Sequence, residues 1–444
     1  MAISFPGKMT KPPVNLLKEI LAHEVYPALG CTEPISCAFA AATAASHLGE
    51  PVEKLLLRVD PGTYKNGAAV SVPHSDGATG NLIAAALGAI LAKPDAKLEL
   101  LRDVTSEILA AARRLCDDRQ CQYECIDGTS DFRVEVEASS GQHTTRCVLS
   151  GSHTHVALVE KDGKSLLNHQ DNGSEPSCLE YRTALKNIRL KNLLSYAGDA
   201  DAGDRQYLQN GIDMNLAMAR RGEEISGTAC QLRRIHDRGY LAEDLFYRTK
   251  LLVASAVDAR MAGVSQPVMT SGGSGNQGIV AILTPYNVGR EMGIDEDRLL
   301  ESIAAAHLVN AYCKCFVGEL SVICGCAMAA GIAAAVAIVY QQAGPDAARI
   351  TLAVNNVIGD LGGLICDGAK PGCAMKTITA VDAAIRSGLM AVEGFGLSPA
   401  DGVVGTTAED SIRNLGRITL EGMFSVDPTV LLILREKDAQ RLSS

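Results

Sequence analysis

Twelve consecutive residues, Ile365-Cys366-Asp367-Gly368-Ala369-Lys370-Pro371-Gly372-Cys373-Ala374-Met375-Lys376, carry two cysteines, two lysines and a carboxylate around a Gly/Pro break. A thiolate, unlike a thiol, is a nucleophile and a metal ligand, and nearby lysine charge or a helix N-terminus favours it. Lys370 and a helix beginning after Pro371-Gly372 would supply both beside Cys366 and Cys373, although solvated surface lysines would look the same in sequence. More sulfur lies upstream, in Cys313-Lys314-Cys315 and in Ser321-Val322-Ile323-Cys324-Gly325-Cys326. A further cysteine, Cys31, stands in Gly30-Cys31-Thr32-Glu33-Pro34, a turn between two helical patterns and so a poor place for a core side chain. Structural zinc is usually held by two pairs of cysteines at short spacing, a pattern that the C-x-C pairs and the long interval from Cys324 to Cys366 do not match. Iron–sulfur clusters accept scattered thiolates, so a cluster and a set of buried structural thiols are both compatible with the spacing.

Two other stretches could bind or move a proton. Ser271-Gly272-Gly273-Ser274-Gly275-Asn276-Gln277-Gly278 leads into an apolar run. Its glycines let backbone approach a ligand, and amides at a helix start bind carboxylate or phosphate, with Ser271, Ser274 and Asn276 adding side-chain donors. The spacing is neither a Walker loop nor a dinucleotide fingerprint. His153 and His155 in Gly151-Ser152-His153-Thr154-His155 would share one face if a strand begins there, as a metal pair or a base requires. Lys65 in Thr63-Tyr64-Lys65-Asn66-Gly67 is a further possible base.

Composition sets bounds on these readings. The 444 residues suffice for two or three domains, and 47% hydrophobic with 21% charged residues is an ordinary globular balance. A net charge of −10 without a basic cluster argues against nucleic acid. Long apolar stretches such as 324–340 are dominated by Ala and Gly, so a membrane span is not expected, and the N-terminus lacks the basic-apolar-small pattern of a signal peptide. The expectation is a cytoplasmic protein acting on a small molecule, compatible with a homodimer. In a reducing compartment the fourteen cysteines do not form a disulfide framework, and Cys37, Cys116, Cys121, Cys125, Cys147, Cys178 and Cys230 read as small buried hydrophobes.

The elements that must position these groups divide the chain. Residues 1–13 read as a loose arm, and apolar spacing predicts helices from Asn15 to about Leu29 and from Pro34 to about His47. Strand patterns follow at 54–60, 68–72, 122–126, 132–137, 144–149 and 155–159, interrupted by helices at 81–91 and 104–115. Alternation is clearest in Phe132-Arg133-Val134-Glu135-Val136-Glu137, as a half-exposed antiparallel strand requires. Beyond 180 nearly everything reads as alanine-rich helix: 205–221, 242–262, 297–316, 328–342, 347–357 and 375–390. The expected fold class is α+β: N-terminal helices (1–50) packed on a large all-helical domain (176–444), with a smaller antiparallel-strand domain (51–175) inserted between.

Gly-Cys-Thr-Glu-Pro, Ser-Gly-Gly-Ser-Gly-Asn-Gln-Gly, Leu-Ser-x-x-Cys-Gly-Cys and Cys-Asp-Gly-Ala-Lys-x-x-Cys-Ala-x-Lys occur in this order across residues 30–376. With them the chain resembles the L-cysteine desulfidase family, a relative of the iron–sulfur L-serine dehydratases. The resemblance implies a [4Fe-4S] cluster held by three cysteines, Cys31, Cys324 and Cys366 by motif, gathered within a few ångströms despite their separation in sequence. Cys326 competes with Cys324. Cys373 stands at a different spacing from the further ligand cysteine of the serine dehydratases and is held in reserve. The implied reaction takes L-cysteine to sulfide, ammonia and pyruvate. An iron left open would bind the substrate sulfur, and the loop Ser271, Gly272, Ser274, Gly275 and Asn276 would hold its carboxylate, with Lys376, His153 or Lys65 as base. Rival readings are a serine dehydratase, a pyridoxal-phosphate lyase, which leaves the cysteines unexplained, and a non-catalytic cluster-bearing sensor.

Overall fold

The computed structural model of the chain describes residues 15–117, 120–126, 132–151, 153–169, 178–318 and 321–443. The loose arm expected at 1–13 and the side chain of Cys178 lie outside the described residues. Helix α1 (Leu16–His23) begins where the Asn15 side chain accepts from the amides of Leu17 and Lys18. It buries Leu16, Leu17 and Ile20 against the helical part of the molecule. Strand β1 (Pro27–Leu29) follows, and then α2 (Thr32–Leu48), an alanine-rich helix buried along nearly its whole length.

The smaller core forms where α2 lies under a sheet. Its strands are β2 (Lys54–Val59), β3 (Cys121–Cys125), β4 (Arg133–Ser140), β5 (His143–Ser150), β6 (Val156–Lys161) and β7 (Lys164–Asn168), in the order β3-β2-β4-β5-β6-β7. Val134, Val136 and Ala138 of β4 face the core, while Glu135 pairs with Arg133 and Arg146, which is the alternation read from sequence. The ladder is antiparallel except for β3, which runs parallel to β2. A parallel neighbour needs a crossover. Here the chain between β2 and β3 supplies α3 (Pro61–Gly67), α4 (Asn81–Leu91) and α5 (Ser106–Asp117). Residues 68–72, expected as a strand, make only an isolated bridge from Ser71 to Thr79.

The larger core is helical. It contains α6 (Cys178–Asn187), α7 (Leu190–Gly198), α8 (Ala202–Gly222), α9 (Thr228–Asp237) and α10 (Leu245–Met261). After the short strand β8 (Pro267–Met269) come α11 (Gly275–Glu291), α12 (Glu296–Val317), α13 (Ala329–Ala343), α14 (Ala347–Leu361), α15 (Cys373–Val392), α16 (Ala408–Arg417) and α17 (Val426–Ser443). Ala330, Ala333, Ala334, Ala335 and Ala337 make α13 a narrow, fully buried rod that α11, α12, α14 and α15 can approach closely. Strand β8 pairs antiparallel with β1, stitching the N-terminus to this core. The fold is α+β with a dominant helical part, as the sequence implies. Cys31 belongs to the helical core, whereas the buried face of α2 from Ile35 to Leu48 belongs to the sheet core.

Close approach of α2 and α4 depends on Gly88, where a Cβ would lie 2.0 Å from the Ala38 carbonyl oxygen. Gly88→Ala therefore forces two buried helices apart and should cost about 1–3 kcal/mol by overpacking. Denaturant unfolding of the purified variant checks this.

Candidate functional site

The sulfur-bearing corner is built on a one-rung antiparallel bridge between Ile323 and Ile365. The Cys324 amide donates to Leu364 O and the Cys366 amide to Val322 O, both at 2.8 Å. Residues flanking one rung share a face, so this pairing turns Cys324 and Cys366 the same way. Cys373 opens α15, its thiol 3.7 Å from Gly368 O. A hydrogen bond from Cys326 lowers Cys324 to about 7, assisted by the Lys376 charge, while Cys326 itself is driven up. Burial raises Cys366 against the opposing charges of Lys65 and Lys376, and pushes Cys373 up to about 11. Asp367 takes both Lys370 and Lys376, and Lys376 Nζ also donates to Ile365 O at 2.8 Å.

A second element meets this corner from the sheet domain. Asp60 caps α3, accepting from the Thr63 amide at 2.9 Å and the Thr63 hydroxyl at 2.6 Å. That short helix delivers Lys65, 2% exposed, to an ion pair with Asp427 of α17 at 2.5 Å. Gly368 sits at φ +97°, and a Cβ there would lie 2.3 Å from the Lys65 carbonyl oxygen, so the two segments touch backbone to backbone. The next residue, Asn66, donates to Glu33 at 2.8 Å. Glu33 also accepts from Cys31 at 2.9 Å and Thr32 at 3.1 Å. Burial would raise Glu33, but the charge of His153 and these hydrogen bonds outweigh it and hold its pKa down. Burial, with Glu33 adding to it, raises Cys31 well above an ordinary thiol.

The glycine-rich loop lies between these groups. Ser271 Oγ is gripped by His307 Nδ1 at 2.9 Å and Asn310 Nδ2 at 3.0 Å, and Lys314 Nζ donates to Gly272 O. Ser274 stands immediately before α11, whose first turn of Gly275, Asn276 and Gln277 presents amides that an α-helix leaves without internal partners. Arg260 joins the loop to the Cys31 turn, donating to Asn276 Oδ1 at 2.9 Å and to Gly30 O at 2.6 Å. Gln277 reaches the sulfur corner, since a Cβ on Gly325 would fall 2.6 Å from its Nε2. Among the described residues, Gln277 Oε1, Asn310 Oδ1, Asn66 Oδ1 and Arg260 Nε are buried without a hydrogen-bond partner. These four atoms lie along one chain of contacts, and buried polar groups of this kind are ordinarily paired.

Of the groups singled out in sequence, Cys324, Cys326, Cys366, Cys373, Lys370, Lys376 and Lys65 come together. Cys31 is one step removed, its thiol held by Glu33 at the start of α2. Among the described residues no three His, Cys, Asp or Glu side chains converge as ligands of one ion. Ser271 Oγ and Asn276 Oδ1 are held by protein partners, which makes both residues organisers of the loop. His153 and His155 precede β6 rather than lying on it: His153 packs on the Phe132 ring at 4.6 Å, and His155 Nδ1 meets Ser150 O at 3.0 Å. The expected shared strand face is therefore absent, because the chain turns at Gly151, φ +77°. His307, Asn310 and Lys314 escape the sequence reading, although buried polar residues spaced i, i+3, i+7 in an otherwise apolar helix were the available signal.

Comparison with known proteins places the chain in a family. It belongs to the serine dehydratase alpha chain family, whose model matches residues 95–432. A UPF0597 protein of Geobacter sulfurreducens is 47% identical over 424 residues, covering 96% of this chain and 99% of the relative. A UPF0597 protein of Elusimicrobium minutum is 44% identical over 424 residues, covering 96% and 100%. One from Desulfatibacillum aliphaticivorans is 37% identical over 431 residues, covering 95% and 98%. No solved structure matches. Membership agrees with the sequence reading of a lyase related to the iron–sulfur serine dehydratases. No helix among the described residues is long and apolar enough to cross a membrane.

Burial holds His307 neutral and lowers its pKa to about 3. An unfolded histidine titrates near ~6.5, so between those values the unfolded chain binds the extra proton. The stabilising contribution is complete above ~6.5 and is lost as pH falls toward the folded value, with a slope of about 1.4 kcal/mol per pH unit. Denaturant unfolding from pH 6.5 down to 4.5 should show that slope in the difference between wild type and His307→Gln.

Proposed function

We propose that the protein is an L-cysteine desulfidase that uses a [4Fe-4S] cluster, with iron–sulfur L-serine dehydratase as the second reading. The observation that carries it is the sulfur corner: Cys324 and Cys366 on one face of their bridge, with Cys326, Cys373 and the cations of Lys65, Lys370 and Lys376 around them. The donor set fits such a cluster. It is soft thiol throughout, the hydrogen bond from Cys326 favours the Cys324 thiolate, and lysine charge offsets the negative charge of a thiolate-bound group. Cys324 and Cys366 would hold it with one further sulfur. Cys31, assigned by motif, would have to turn away from Glu33, whereas Cys326 and Cys373 stand nearer.

When bound, the cluster supplies a Lewis-acidic iron for the departing sulfur of the substrate. The chain's own residues do the rest. First-turn amides of α11 and the Arg260 guanidinium behind Asn276 favour the substrate carboxylate. The α-proton passes to a base among Lys65, Lys376 and His153. Lys65 and Lys376 are cations in their ion pairs with Asp427 and Asp367, so either acts as base only after passing its own proton to that carboxylate. Loss of that proton and of sulfide gives aminoacrylate, and water converts it to pyruvate and ammonia. Serine would follow the same path with water as the leaving group, so the family membership supports both readings.

Anaerobic reconstitution with iron and sulfide, followed by desalting, provides the protein to assay. L-cysteine should yield sulfide and pyruvate in equal amounts and faster than L-serine yields pyruvate. Cys366→Ser should reduce the rate by more than about 100-fold, beyond the loss expected for an outer-shell group. Faster serine turnover would make the protein a dehydratase, cysteine binding without sulfide would make it a sensor, and activity that survives iron chelation would remove the cluster from the account.

A further inference from the structure

The thiols set aside as structural include one pair that the fold brings together outside the site. Cys116, in the last turn of α5, and Cys121, the first residue of β3, have their sulfurs 3.8 Å apart. Both are partly exposed, unlike Cys37 and Cys147, which are fully buried in the same core. Their elements end there, and β3 is an edge strand paired with β2 alone. Sulfurs at that separation need to close by less than about 2 Å to reach bonding distance, which side-chain rotation and a small shift of two element ends can provide. Sharing a proton lowers Cys116 and raises Cys121, so Cys116 is the sulfur fitted to attack.

The charged surface beside the pair bears on what could approach it. A shallow cavity next to the pair is lined by Glu53, Lys54, Arg114, Leu115 and Gln120; neither sulfur lines it, and Leu115 and Gln120 are the chain neighbours of the two cysteines. Its rim offers one carboxylate and two cations. That matches a zwitterion, with an ammonium for Glu53 and carboxylates for Lys54 and Arg114.

We propose that Cys116 and Cys121 form a reversible dithiol site for small zwitterionic disulfides, the class of cystine and oxidised glutathione. The Cys116 thiolate attacks one sulfur of the small disulfide, its S–S bond breaks, and one small thiol leaves. The Cys121 thiolate then attacks the mixed disulfide on Cys116 and releases the second. The protein dithiol is oxidised to a disulfide, the small disulfide is reduced to two thiols, and no other reactant is needed. The consequence reaches toward the lysine site, because β3 carries Tyr123, which accepts from Asn81 at 2.8 Å and stacks on Tyr64 at 4.7 Å. Oxidation would tie that strand to α5. The proposal does not rest on the desulfidase reading.

The test treats anaerobic full-length protein with limiting cystine, oxidised glutathione or uncharged 2-hydroxyethyl disulfide, then alkylates free thiols and maps peptides by mass. The expected first product is a Cys116–Cys121 disulfide, reversed by dithiothreitol. Cys121→Ser should accumulate a mixed disulfide on Cys116. Arg114→Ala should slow the reaction with cystine by roughly threefold while leaving the uncharged disulfide unaffected, the scale of one exposed ion pair. A first disulfide elsewhere, at Cys121 with Cys125 or among Cys324, Cys326, Cys366 and Cys373, would overturn the site. Equal slowing of charged and uncharged disulfides by Arg114→Ala would overturn its preference for zwitterions.

Discussion

Burying a lysine costs free energy unless its charge is met, and the whole arrangement depends on how this chain meets that of Lys65. The ammonium is almost completely removed from water and is held by Asp427, 362 residues later in sequence. Removing one partner of such a pair costs more than the pair contributes, because the remaining charge is stranded. The sheet domain that carries Lys65 is thereby held against both the Cys366–Gly368 segment and α17. The same charge opposes the burial that raises Cys366, so one cation serves assembly and thiol chemistry together.

Around that contact the site is layered. Helix α12, buried along most of its length, devotes His307, Asn310 and Lys314 to fixing two residues of the glycine-rich loop. Arg260 fixes a third and ties it to the turn that carries Cys31. Ser271 and Asn276 are engaged in this work, while the first-turn amides of α11 and Gln277 Oε1 are without internal partners. A rigid donor set of this kind suits a carboxylate whose position has to be held while chemistry occurs next to it.

Much of this was legible in the residues. Periodicity located 81–91 as the helix Asn81–Leu91, and the alternation of Val134 and Val136 gave β4, because both patterns depend on neighbours in sequence. Cys324 and Cys366 were recognisable as partners from motif. Other features depend on distant pairing and left no local trace: the three-residue strands β1 and β8, the parallel placement of β3, and the Lys65 ion pair. The strand face that His153 and His155 would share is absent because the chain turns at Gly151 before β6 begins. The α12 polar residues were overlooked inside an apolar helix. Cys116 and Cys121 were read as core, although the end of one element meets the start of another there.

The central claim is that the sulfur corner holds an iron–sulfur cluster through Cys324 and Cys366. Iron and acid-labile sulfide content, measured on anaerobically reconstituted and desalted protein, tests it most directly. The account predicts a brown protein with about four irons per chain, and near-complete loss of iron in both Cys324→Ser and Cys366→Ser with folding retained by circular dichroism. Wild-type protein that takes up no iron, or serine variants that keep it, would contradict the account.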